Sequence, residues 1–196
     1  MSRKRSWCLA ALLLAAGLWQ QPPRPVDAAL FTLTERDQAE AVRIGRRSVV
    51  SEEFGAEWTV AGGSGQRLVV MTGFHRLALA ARNSAFQNQE LKPKDIESLL
   101  KETEGRLVLW VTLRGGKSDF ARFFAPALMW QQQEIKAAFA QNERTALRDD
   151  DGRYTARCMY VFPIEGLDPK GKVLLVVRDP DDKQVARFTV DLSAMR

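Results

Sequence analysis

The sequence predicts a mainly β domain: an antiparallel sandwich of roughly seven or eight strands, with an N-terminal helix and a helical insertion between strands. Three observations predict it. From Tyr154 onward, runs of apolar and alternating residues are separated by short turn sequences. The stretch "RLVLWVTLRGG" (106–116) is a long β-type run with apolar residues at both parities. The apolar period switches to the helical 3.6 in only two regions, 34–54 and about 73–104.

The first element predicts export. Arg3, Lys4 and Arg5 precede an uncharged apolar run from Trp7 to Trp19. Val26 and Ala28 suit the −3 and −1 positions of a cleavage site, which is the layout of a secretory signal peptide over residues 1–28. The run is shorter than the ~20 residues of a spanning helix. The expectation is therefore a periplasmic or extracellular protein, cleaved near Ala28 and with no stable membrane span afterwards. Gln20, Gln21, Pro22, Pro23 and Pro25 extend the unstructured composition, so residues 29–33 read as a mobile leader before a single globular domain over 34–196.

The helix predicted at 34–54 opens on Thr34, with Asp37 at the capping-box position. Gly55 offers a stop. Trp58–Ala61 and Arg67–Thr72 are short β runs around "GGSG", which reads as a hairpin turn. "GFHRLALAAR" then begins the insertion. Phe74, Leu77, Ala78, Ala81 and Ala85 share one helical stripe. Pro93 suits the first turn of a second helix, and Gly105 ends it.

In 106–116, Leu107, Leu109, Val111 and Leu113 take one strand face. Val108 and Trp110 on the other predict burial on both sides. Between 118 and 147, Pro126 disfavours one continuous helix, and two strands around Gln131–Gln133 are expected. The stretches 154–162, 172–177 and 184–192, joined by "GLDPKG" and "RDPDDK", read as a C-terminal β-meander spanning 153–192. In style the arrangement resembles immunoglobulin-like and C2-like domains, although it lacks the paired cysteines and tryptophan spacing of the former.

Composition narrows the function. The chain has 29 Lys and Arg against 24 Asp and Glu, a net charge of +5. Removing residues 1–28 takes away Arg3, Lys4, Arg5 and Arg24 but only Asp27, leaving 25 against 23, or +2. So small an excess does not suit a nucleic-acid partner. Outside the signal region Cys158 is the one cysteine, so no internal disulfide is expected. It shares a strand face with Tyr154, Ala156, Tyr160 and Phe162, a core setting.

His75 is the only histidine, which excludes a histidine-rich metal site. At +7 spacing it falls with Arg82 and Gln89, on a side of the helix expected to be partly exposed. "AGGSGQR" lacks the ending of a phosphate-binding P-loop. Asp149–Asp151 and Asp181–Asp182 suit turns better than a calcium site. Arg43, Arg46 and Arg47 are balanced by Glu40, Glu52 and Glu53. No metal or other cofactor is expected.

The sequence therefore favours a non-catalytic binding or accessory domain that contacts a protein or cell-envelope component. Its candidate recognition element is the insertion, with Phe74, His75, Arg82 and Phe86. The alternative is an exported hydrolase in which His75, the weak catalytic candidate, works with a distant carboxylate or serine.

Overall fold

A computed structural model of the chain describes residues 31–196. The expected signal peptide and residues 29 and 30 of the leader lie outside the described residues. The elements are, in order, α1 (Glu35–Arg47), β1 (Thr59–Ala61), β2 (Arg67–Met71), α2 (Gly73–Phe86), α3 (Pro93–Thr103), β3 (Arg106–Gly115), β4 (Ala125–Trp130), β5 (Gln133–Lys136), β6 (Phe139–Gln141), β7 (Leu147–Arg148), β8 (Tyr154–Pro163), β9 (Lys172–Arg178) and β10 (Gln184–Asp191). The protein is mainly antiparallel β with three helices among the described residues, arranged as two open sheets.

The first sheet runs β1-β2-β3-β8-β6, with β7 also on β8; the second runs β10-β9-β4-β5. Alternation explains the layers. Leu107, Leu109, Val111 and Leu113 of β3 are at most 2% exposed, as are Ala156, Cys158, Tyr160 and Phe162 of β8. They meet Leu128 of β4, Leu175 of β9 and Phe188 of β10 in one core shared by both sheets. The Tyr160 hydroxyl donates to Asn142 Oδ1 at 2.9 Å, and Asn142 Nδ2 donates to the Phe124 carbonyl at 2.7 Å. The polar end of this buried ring is thereby satisfied.

Local signals set the helices. Thr34 and Asp37 form the capping box that opens α1. Thr72 Oγ1 accepts the His75 N–H at the start of α2, and Pro93 sits in the first turn of α3. The β4–β5 hairpin turns at Gln131 and Gln132, both at positive φ.

The structure corrects four expectations. The first helix stops at Arg47 instead of running to residue 54. Ser48 Oγ donates back to the Gly45 carbonyl at 2.9 Å, and the β-branched Val49 and Val50 follow with Val50 91% exposed, so neither propensity nor packing extends it. Residues 31–33 are not a free leader, because Phe31 and Leu33 are partly buried against the two apolar clusters. The three C-terminal strands are not a meander. Both edges of β8 are taken, by β3 on one side and by β6 and β7 on the other, so β9 pairs with β10 and β4 in the second sheet. The chain crosses between sheets through 164–171, where Leu167 is buried. Finally, β3 is buried on both sides only in part: Val108 is 9% exposed but Trp110 is 43% exposed.

Candidate functional site

His75 was expected on an accessible side of the insertion helix, and the structure buries it at 4% exposure. The cause lies upstream. After α1 the chain folds back, and a short 3-10 turn, Ala56–Trp58, lays the Trp58 ring on the imidazole at 4.2 Å with planes 5° apart. Phe54 closes a further side at 6.0 Å. The Val70 carbonyl lies 3.0 Å from Nδ1. A carbonyl only accepts, so Nδ1 carries the proton and Nε2 faces the backbone at Gly55, where a Cβ would stand 3.8 Å away.

Arg82 does share this side of α2, as the +7 spacing implied. Its guanidinium lies 4.8 Å over the Phe54 ring and donates to the Ser51 carbonyl at 3.2 Å. Gln89 lies past the helix end at Phe86. Phe74 is 3% exposed and Phe86 is 75% exposed, so the four candidate binding residues do not converge on one open site. The seam of His75, Arg82 and Phe54 fastens residues 48–58 to α2. The one hydrogen bond of the His75 side chain among the described residues is to Val70, so neither a carboxylate nor a hydroxyl orients or receives from it.

Burial pushes the His75 pKa below its ordinary value of about 6.5, with the Val70 carbonyl and Glu57 opposing more weakly. The consequence for stability has a definite sign. Well above pH 6.5 His75 is neutral in both the folded and the unfolded chain, and the stability is intact. As pH falls below 6.5 the unfolded chain takes up a proton that the folded chain does not, so stability declines until the folded-state pKa is reached, by up to about 1.4 kcal/mol per pH unit. Urea unfolding at pH 7.5, 6.5 and 5.5 should show this decline. His75→Gln should flatten it; an unchanged slope would rule out His75 as its source.

The other prominent feature is a groove that sequence reasoning did not anticipate. The outer face of the first sheet carries two apolar cross-strand rows. Met71, Val108 and Val161 align in one, continued by Phe139. Val69, Trp110 and Met159 align in the other. The insertion covers only one side of this face. Arg76, Leu79, Ala80 and Asn83 project from one face of α2, and Leu99 and Glu102 from α3. A cavity of about 530 Å³ remains between the helices and the sheet, floored by residues of both rows. Arg76 and Glu102 bridge its helical wall at 2.8 Å.

A second cavity of about 470 Å³ lies between the start of β3, the end of β8 and β6, and shares Arg106, Met159 and Val161 with the first. Trp110 and Phe139, 43% and 50% exposed, are the aromatic residues of this surface. The signal for it is present in the sequence as a second apolar parity on three strands at once: Val69 and Met71, Val108 and Trp110, Met159 and Val161. What the sequence did not show is that the helices stop short of covering it.

The aspartate turns hold protein groups. Asp149 accepts from Thr155 Oγ1 at 2.5 Å and, with Asp151, receives Arg114 at 2.8 Å. The Thr155 hydroxyl and Arg114 keep the Asp149 carboxyl below its usual range. Among the described residues no group of three or more His, Cys, Asp and Glu is placed to hold a metal ion. Cys158 is fully buried, and burial pushes its thiol pKa up, away from a reactive thiolate. No helix among the described residues is long and apolar enough to cross a membrane.

No family model matches the chain, and no curated protein matches it. Among solved structures it is similar to a crystal structure described as a novel protein of unknown function from Burkholderia pseudomallei. The identity is 12% and the TM-score 0.42, over 81% of this chain and 90% of that one.

Proposed function

We propose that this protein is an exported, non-catalytic binding domain that contacts a protein or cell-envelope component through the groove between the insertion helices and the first sheet. The observation that carries the reading is the open apolar face centred on Trp110. Solvent-facing tryptophan over a concave, largely apolar floor is the kind of surface that marks recognition sites. Two features support the wider reading. The sheets share one core, which suits an open sandwich used as a rigid platform. Residues 1–28 have the layout of an export signal.

The test compares the tagged protein with its Trp110→Asp variant, both purified from the cell envelope. Trp110 is 43% exposed, so the variant gives up the packing of its buried part, about 2–4 kcal/mol, and circular dichroism checks that it stays folded. A component that co-purifies with the parent should be lost with Trp110→Asp. Equal recovery with a folded variant would remove the groove from the reading.

A further inference from the structure

The two cavities beside Trp110 differ from a purely apolar face in one respect: their charge does not cancel. Arg76 and Glu102 neutralise each other across the helical wall. Arg106 remains. It is the one charged residue common to both cavities, and it makes no ion pair or side-chain hydrogen bond among the described residues. Arg106, Val108 and Trp110 alternate onto the same strand face, so the backbone positions of Arg106 and Trp110 lie about 13 Å apart along the strand, with Val108 between them.

The floor also limits what can lie on it. The backbone groups of β2, β3 and β8 are engaged in the sheet. An extended peptide would bring its own N–H and C=O groups onto side chains among which Asn83 is the neutral polar group. A hydrocarbon chain brings no backbone polar groups that would need partners on this floor.

From these observations we infer that the groove takes a single-chain anionic amphiphile, its acyl tail along Val108 and Trp110 and its acidic head on Arg106. The inference rests on the binding reading above and deepens it by stating the ligand chemistry. It makes two quantitative demands. Lengthening the tail should tighten binding about fourfold per methylene, the equivalent of about 0.8 kcal/mol, until the tail passes Trp110. Removing the positive charge should weaken binding of an anionic head about fivefold, the scale of a partly exposed ion pair, while leaving a neutral head unaffected.

The experiment titrates the purified protein with octanoate, decanoate and dodecanoate, and with the neutral dodecyl maltoside, all below their micellar concentrations. Trp110 emission and calorimetry are the readouts, and Trp110→Phe assigns the emission change. Arg106→Gln, at an exposed position, supplies the charge test. The expected result is the chain-length series in the carboxylates, with Arg106→Gln weakening dodecanoate but not dodecyl maltoside. Equal affinity for both head groups, or an unchanged Arg106→Gln affinity for dodecanoate, would overturn the inference and leave a binding groove of different specificity. No binding of any amphiphile at Trp110 would also overturn it. The groove itself would then be judged by the Trp110→Asp co-purification, which is independent of amphiphile chemistry.

Discussion

Gly45→Ala should destabilise the protein by about 1–3 kcal/mol, although alanine is the better helix former. Gly45 lies in the last turn of α1 and is buried against α2. A Cβ built there would collide with the Ala78 carbonyl oxygen and stand 2.8 Å from the Ala81 Cβ. The obstacle is the backbone of a second helix, which cannot rotate away as a side chain could. Helix propensity favours alanine by about 1 kcal/mol. The collision must therefore move α1 bodily off α2, and that repacking outweighs the propensity gain.

The expected loss corresponds to a melting temperature lower by about 2–12 °C. Gly45→Leu should lose more, because it adds volume to the same contact. Gly63→Ala is the matched control, since a Cβ there meets nothing within 4 Å. Thermal melts of the three variants decide the matter. A Gly45→Ala protein that melts at or above the parent temperature would show that the helices are not in this close contact. The effect reaches the groove as well, because the opposite side of α2 is its wall. A displaced α1 should leave that wall less firmly held.

Much of the fold is legible because it depends on near neighbours. The Thr34–Asp37 capping box, the placement of Pro93 and the apolar alternation of 154–162 are each contained within ten residues or fewer. So is the turn that divides β4 from β5. What was not legible depends on distant partners. The β6 and β7 strands have three residues and two, too few for a period, and exist as strands because β8 presents an edge to them. The same competition for the edges of β8 replaced a local meander with pairing across two sheets. His75 is a further example. Its own helix places it on the side away from the Leu77 stripe, and residues 54–58, folding back from earlier in the chain, bury it.

The groove is not legible in the sequence for the complementary reason. A strand with two apolar parities indicates that something covers both faces, and on the outer face of β3 that holds only at Val108. Whether Trp110 is covered depends on how far two helices extend across a sheet, which no residue of β3 encodes. The open face lies beside the insertion helices, but not at the residues expected to bind. The side chains differ: Phe74 and His75 face inward, while Leu79 and Asn83, on another side of α2, face the groove.

Trp58→Ala should be the most damaging single truncation in the helical layer, at about 3–5 kcal/mol. Trp58 is 1% exposed and ties three parts of the chain together. Its ring stacks on His75 and lies 6.2 Å from Phe74 and 6.0 Å from Phe54. Its indole N–H donates to the Arg196 main-chain oxygen at 2.9 Å. That oxygen also accepts from Thr72 Oγ1 at 2.6 Å, and the Arg196 guanidinium pairs with Glu57 at 2.8 Å. Alanine would leave a cavity among aromatic rings and open the imidazole to water.

Trp58→Phe separates the two contributions. It keeps a ring against His75 and loses the N–H, and Thr72 still donates to the Arg196 main-chain oxygen, so the loss should be about 1 kcal/mol. The chain's single histidine provides a second, independent readout. In the parent, burial holds the His75 pKa down. In Trp58→Ala, readmitted water should raise it toward its ordinary value, and the decline in stability below pH 6.5 should shrink with it. Chemical denaturation gives the first quantity and an NMR titration of the imidazole gives the second. A Trp58→Ala protein that loses less than the phenylalanine variant, or whose histidine titrates as in the parent, would show that the stacked ring is not what buries His75.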